Sequence, residues 1–137
     1  MFADLAAAHC MRRYCASHFL DPNPSRREPG EVLDEILFWH KKFGVRDFAF
    51  YDDALLVASE SHLMVLLEGL ARLQLNVRFH TPNAVHVKEI TSDIAKRMHQ
   101  TGFRTIRLGL ETSDFSLHLR LDDKVFEGEF QQAVENF

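Results

Sequence analysis

Short apolar runs alternate with longer amphipathic segments along this 137-residue chain. The short segments contain aromatic and β-branched residues typical of strands and lie at 45–51, 76–80 and 105–110, although 76–80 also carries Asn76, Arg78 and His80. The amphipathic segments carry apolar residues at helical spacing and lie at 30–42, 59–73 and 92–101. Strict alternation of strands with helices favours βαβ units. The sequence therefore predicts an α/β fold with a parallel sheet of three to four strands and helices on its outer face.

Local signals predict where several of these elements end. Gly44 and Gly102 follow the first and third helical segments, where a left-handed residue commonly ends a helix. Thr91 or Ser92 is expected to cap the start of the third helix. Because Pro82 lacks the amide that a strand ladder needs, residues 81–83 are expected to form a turn that ends the second strand.

Composition excludes several classes of partner. The formal charge of −4 gives no basic face, so we expect no nucleic-acid partner. No apolar run approaches the ~20 residues that span a bilayer, so we expect no membrane partner. The first residues lack the basic region of a secretory signal, and two cysteines are too few for a disulfide scaffold. We therefore expect a cytoplasmic protein.

Polar side chains follow each predicted strand. They are Asp52 and Asp53 after the first, His80 and Asn83 after the second, and Glu111 and Ser113 after the third. Because the carboxyl ends of parallel strands share one edge of a sheet, these groups are expected to converge on a small polar ligand. Each group alone also fits a simpler interpretation, such as a solvated loop, an edge histidine or a helix cap.

Five segments in order resemble the radical S-adenosylmethionine superfamily. They are YCAS at 14–17, PGEVLDEI at 29–36, FGVRDFAFYDD at 43–53, HQTGF at 99–103 and IRLGLET at 106–112. The resemblance is closest to the subgroup that is often fused to an upstream cobalamin-binding domain. It divides the chain into a divergent N-terminal segment, 1–13, and a partial radical S-adenosylmethionine core domain, 14–137.

This resemblance implies a partial (β/α) barrel that holds a 4Fe-4S cluster and S-adenosylmethionine as small-molecule cofactors. In the family, the reduced cluster cleaves the sulfonium and yields a radical that abstracts hydrogen from a substrate, here unidentified. A cobalamin cofactor is implied only where an upstream domain exists. The resemblance also implies that Asp52 and Asp53 contact the amino group of the methionine moiety. Glu111 and Ser113 would approach its carboxylate and the ribose, while Arg78, His80 and Asn83 would face the barrel mouth.

The cluster loop of the family, Cys-x3-Cys-x2-Cys, is only partly matched. Cys15 matches its third cysteine, whereas the first two positions fall on Ala8 and Arg12, which cannot bind iron. Cys10, the other candidate metal ligand, lies between those two positions. The sequence thus predicts a fragment of a radical enzyme domain that is inactive if the cluster does not assemble.

Two further interpretations remain open. His9, Cys10, Cys15 and His18 supply the sulfur and nitrogen ligands that zinc accepts, so they could form a small zinc-binding module. Alternatively, the chain is a non-catalytic α/β fragment that self-associates through the open edges of its sheet.

Overall fold

The computed structural model describes residues 26–52, 55–57, 59–110, 112–114 and 128–137. In chain order the elements are α1 (Pro29–Phe43), β1 (Asp47–Ala49), α2 (Leu63–Leu73), β2 (Arg78–Val85), a short 3₁₀ helix (Val87–Glu89), α3 (Ser92–Gln100), β3 (Phe103–Leu108) and α4 (Glu129–Glu135). The predicted alternation of helices and strands is confirmed, although β1 is shorter than its apolar run. No helix in the described ranges is long and apolar enough to cross a membrane.

The ends of α1 follow from local rules. Pro29 occupies the first turn, where its missing amide is not needed, and Glu31 places a negative charge near the positive end of the helix dipole. At the other end Gly44 adopts a left-handed conformation with φ 67°, and its amide donates to the His40 carbonyl at 2.9 Å. The His40 ring nitrogen Nδ1 also lies 2.8 Å from the Val45 carbonyl oxygen. The chain therefore turns sharply from α1 into β1.

The ends of α3 agree with the sequence prediction. The Thr91 hydroxyl accepts a hydrogen bond from the Ile94 amide at 3.2 Å and caps the helix. After the helix, Gly102 adopts φ +104°, and a Cβ atom there would lie 2.7 Å from the Val77 carbonyl oxygen. Only glycine fits between α3 and β3 without strain.

The three strands are parallel and lie in the order β1-β2-β3. Because consecutive strands are neighbours and parallel crossovers are right-handed, every connecting helix falls on the same side of the sheet. Aromatic rings form the sheet side of the core: Phe79 lies 5.2 Å from Phe103 and 6.0 Å from Phe48, between ring centroids. The helices cover these rings with Ile36, Leu63, Leu66, Leu67, Leu70, Ile94, Ala95 and Met98.

The opposite face of the sheet is polar and exposed or half-buried. In β2, Arg78 and His80 alternate with the fully buried Phe79, so their side chains lie on the face away from the helices. Thr105 pairs with His80 in the register, and Arg107 lies two residues further along β3. We refer to this surface as the open face.

The expected end of β2 is wrong. The strand continues through residues 81–83 to Val85, and its register with β3 shifts from Thr81 opposite Ile106 to Ala84 opposite Arg107. Pro82 and Asn83 therefore form a bulge. Residues in the bulge are not paired with β3, so the missing amide of Pro82 costs the sheet no hydrogen bond. The Thr81 hydroxyl accepts a hydrogen bond from the Arg107 amide at 3.2 Å and takes the place of a backbone carbonyl acceptor.

Candidate functional site

A small cavity of about 100 Å³ lies between α1, the end of β1 and the start of α2. Its floor is apolar and includes Ile36, Phe48 and Leu66. Charged and polar groups lie around this floor: Arg27, Glu35, Trp39, Tyr51, Asp52 and His62. An apolar pocket with a few polar groups is the usual form of a small-molecule site.

Arg27 and Glu35 form one polar wall of the cavity. Nη1 of Arg27 donates to Oε2 of Glu35 at 2.7 Å, and both side chains are partly buried. The Trp39 indole N–H donates to the other carboxylate oxygen of Glu35 at 3.3 Å. The two oxygens of Glu35 are thus held by groups from α1 and from the residues just before it.

His62 is the most unusual group in the cavity wall. Its side chain is only 8% exposed, and Nε2 lies 2.7 Å from the Arg27 carbonyl oxygen. Since a carbonyl can only accept, Nε2 carries the proton, which leaves Nδ1 as a buried acceptor with no hydrogen-bond partner. Burial is the main cause that lowers the pKa of His62, and the nearby charge of Arg26 acts in the same direction. The ring is therefore neutral near pH 7.

Asp52 lines the same cavity. Its side chain is buried although it follows β1 by only three residues. β1 itself ends at Ala49, and the carboxylate lines the cavity together with residues of α1 and His62. Asp53 lies outside the described residues.

A second polar cluster lies on the open face. Arg78 binds the Asp47 carboxylate through two hydrogen bonds, at 2.7 Å and 2.6 Å, and His80 Nε2 lies 3.2 Å from the same carboxylate. The hydrogen bonds from Arg78, and then that from His80, lower the pKa of Asp47 to about 2. The pKa of Arg78 is raised in turn by its hydrogen bonds to Asp47.

Asp52 and His80 have different surroundings: Asp52 lines the cavity beside α1, and His80 is hydrogen-bonded to Asp47 on the open face. His80 is level with Ala49 and Thr105, before either neighbouring strand has ended, because β2 continues past it to Val85. Asn83 lies within the bulge, and Ser113 is exposed in a bend after β3. Glu111 and all the candidate metal ligands, Cys10 and Cys15 with His9 and His18, lie outside the described residues.

Sequence reasoning missed His62, and no local signal would have found it. The histidine precedes a leucine-rich helix, in a position typical of an exposed cap. Its burial depends on the carbonyl of Arg27, which lies 35 positions earlier in the chain. Only the packing of the segment before α1 against the start of α2 reveals it.

No protein-family model matches the chain, and searches of curated proteins and of solved structures give no match either. Across the described part of the chain, no group of three or more histidine, cysteine, aspartate or glutamate side chains is placed to hold a metal ion.

Proposed function

We propose that this chain is a partial radical S-adenosylmethionine domain that binds S-adenosylmethionine on the open face of its sheet. The observation that carries the proposal is the arrangement of the sheet, with three parallel strands in consecutive order and helices packed on one face. Closed β/α barrels are built from such units, and the face without helices becomes their interior. In a doubly wound sheet the strand order would reverse and helices would cover both faces. The proposed architecture is therefore a partial (β/α) barrel.

The chemistry of the open face supports a ligand that carries charges of both signs. S-adenosylmethionine has a carboxylate, an amino group and a sulfonium. In the proposed complex Arg107, which is exposed on β3 and whose Nη1 already donates to the Pro82 carbonyl at 3.1 Å, binds the carboxylate through its other N–H groups. His80 lies near this position, since its register partner Thr105 is two residues before Arg107. His80 supplies a hydrogen bond to the polar end of the cofactor.

This assignment keeps the predicted role of one other strand-end residue and removes that of another. Asn83 lies in the bulge between His80 and the end of β2, so it is retained as a cofactor contact. Asp52 is buried in the cavity beside α1, and the proposal gives it no contact with a ligand on the open face. The roles predicted for Asp53, Glu111 and Ser113 rest on the family resemblance alone.

The residues of this chain do not fit the iron–sulfur cluster of the family. Cys15 matches one of three cysteine positions, and alanine and arginine occupy the other two. A cluster of this type is held by cysteine thiolates, and neither replacement side chain can substitute for one. The proposed function is therefore cofactor binding without radical cleavage, and we assign no catalytic residue.

Isothermal titration calorimetry of the full chain with S-adenosylmethionine tests this function. We expect His80→Ala and Arg107→Ala each to weaken binding about tenfold, since each removes a hydrogen bond to a charged group. His99→Ala on α3 and Arg72→Ala on α2 are matched controls, because both residues are exposed on helices away from the open face. Equal binding by all four variants, or no binding by the native chain, would contradict the proposal.

Anaerobic reconstitution with iron and sulfide tests the cluster separately. We expect no stoichiometric 4Fe-4S absorption and no cleavage of S-adenosylmethionine by the reconstituted chain. A full cluster with cofactor cleavage would show that ligands other than the three family positions complete the site, and that the chain is a competent radical enzyme.

A further inference from the structure

Three side chains on the open face form one connected cluster. The Asp47 carboxylate accepts hydrogen bonds from Nε of Arg78 at 2.7 Å and from its Nη2 at 2.6 Å. The oxygen bonded to Nε, Oδ1, also lies 3.2 Å from Nε2 of His80. Because two parallel hydrogen bonds to a planar guanidinium fix the plane of a carboxylate, Asp47 keeps one orientation although its side chain is half-exposed.

This contact determines which nitrogen of the His80 ring carries a proton. The hydrogen bonds from Arg78, and then that from His80, lower the pKa of Asp47 to about 2, so the carboxylate is ionised near neutral pH. An ionised carboxylate can only accept hydrogen bonds. Nε2 of His80 therefore donates to Oδ1 of Asp47. In the neutral ring the other nitrogen, Nδ1, is then an acceptor.

The acceptor nitrogen of His80 is available to a ligand. The side chain is 30% exposed, and Asp47 is the only hydrogen-bond partner of its ring in the described part of the chain. Its register partner on β3 is Thr105, and Arg107 lies about 7 Å further along that strand. One N–H of Arg107 donates to the Pro82 carbonyl, and its other N–H groups remain for a ligand. The open face thus offers an acceptor at His80 and donors at Arg107.

We propose that Asp47 is a positioning residue, which holds Nδ1 of His80 as an acceptor so that the open face selects an amino group next to a carboxylate. The inference rests on the proposed function, in which the ligand is S-adenosylmethionine. The carboxylate of the ligand binds Arg107, and its amino group donates a hydrogen bond to Nδ1 of His80. Asp47 does not touch the ligand and acts through the ring of His80.

The same cluster also joins β1 to β2, so a positioning role must be distinguished from a structural one. Exposed ion pairs such as that between Asp47 and Arg78 contribute little to stability. A purely structural contact would change the free energy of unfolding without selecting one tautomer of His80. The protonation state of the ring is therefore the measurement that separates the two roles.

Nuclear magnetic resonance of the ¹⁵N-labelled, ligand-free chain tests the positioning directly, because the ring nitrogen shifts distinguish both neutral tautomers and the doubly protonated ring. At about pH 8, where an ordinary histidine is neutral, we expect only the Nε2–H tautomer of His80 in the native chain. Asp47→Ala should admit the Nδ1–H tautomer. Asp93→Ala is the matched control, since it breaks a comparable ion pair to Arg97 on α3. A native ring in any other state, or an unchanged ring in Asp47→Ala, overturns the proposal.

Isothermal titration calorimetry tests the contact with the amino group. We expect Asp47→Ala to weaken binding of S-adenosylmethionine about threefold, and to have no further effect in a chain that already carries His80→Ala. An analogue without the amino group should bind equally to the native chain and to His80→Ala. An analogue without the carboxylate should still bind the native chain more tightly. Additive losses from the two substitutions, or a loss in His80→Ala that persists without the amino group, overturn the proposal.

The two experiments separate failure of this inference from failure of the proposed function. If the native chain does not bind S-adenosylmethionine, the proposed function and the amino contact both fail, while the ring spectrum still decides whether Asp47 positions His80. If the native chain binds the cofactor but the ring spectrum or the double substitution gives the contrary result, cofactor binding stands and the role assigned to Asp47 is wrong. Far-ultraviolet circular dichroism checks that every variant is folded.

Discussion

The two faces of the sheet use the same strands for different purposes. On the helix side β2 contributes Phe79, which is fully buried among other aromatic rings and the leucines of α2. On the open face its neighbours Arg78 and His80 bind Asp47 and remain in contact with solvent. Stability should therefore depend on one set of side chains, and surface chemistry on the alternate set. Substitutions on each face measure how complete this separation is.

The largest expected effect is that of Phe79→Ala. Removal of a fully buried ring costs the transfer free energy of its atoms and leaves a cavity, so we expect the free energy of unfolding to fall by about 3–5 kcal/mol. Thr105→Ala, on the open face of the adjacent strand, should change it by less than about 0.5 kcal/mol. Urea unfolding followed by circular dichroism measures both. Similar losses for the two variants would mean that the open face is covered and contributes to the core.

As the pH falls, the free energy of unfolding should decrease first because of His62, a buried group on the helix side of the sheet. Burial lowers the pKa of His62 below its ordinary value of 6.5, so the unfolded chain binds a proton in a pH range where the folded chain does not. The stability that His62 contributes is therefore present above pH 6.5 and declines as the pH falls below it. Urea unfolding at about pH 7.5 and about pH 5.5 should show this loss for the native chain and a smaller loss for His62→Gln.

His99→Gln provides the control for this pH effect, because His99 is exposed on α3. It should leave the difference between the two pH values unchanged. If His62→Gln and His99→Gln had equal effects, the acid sensitivity would come from groups other than the buried ring.

The smallest expected effect concerns the Asp47 carboxylate on the open face. Arg78→Ala removes the hydrogen bonds that lower the pKa of Asp47 to about 2, so this pKa should rise towards 3.8. Asp47 contributes to stability above pH 3.8, and that contribution is lost as the pH falls to about 2. Nuclear magnetic resonance titration of the carboxyl group measures the shift. Arg97→Ala, which removes a comparable ion pair to Asp93 on α3, should leave the pKa of Asp47 unchanged.

Residues whose conformation depends on near neighbours could be predicted from the sequence. Gly44 and Gly102 end their helices and Thr91 caps α3, because helix ends are determined by one or two adjacent residues. The order of helices and strands likewise follows from apolar periodicity. These local features were sufficient to predict an α/β fold with a parallel sheet.

Residues whose environment depends on distant segments could not be predicted. Pro82 suggested the end of a strand, but a hydrogen bond between Thr81 and Arg107, 26 positions later, lets β2 continue. His80 therefore lies inside β2 and not at the end of the strand. His62 gave no signal either, since its partner is a carbonyl far upstream.

The bulge in β2 contains two residues, and this number has a consequence for changes in chain length. Thr81 lies opposite Ile106, and after the bulge Ala84 lies opposite the next residue of β3, Arg107. Deletion of both bulge residues would therefore give β2 and β3 a continuous register. Because side chains alternate with a period of two, an even number of extra residues leaves Val85 on the buried face. In β3 the sheet instead absorbs a single extra residue, Arg104, between Phe103 opposite Phe79 and Thr105 opposite His80. The middle strand can therefore change in length by two residues without exchanging its faces, whereas a change of one residue requires a one-residue bulge of the kind at Arg104.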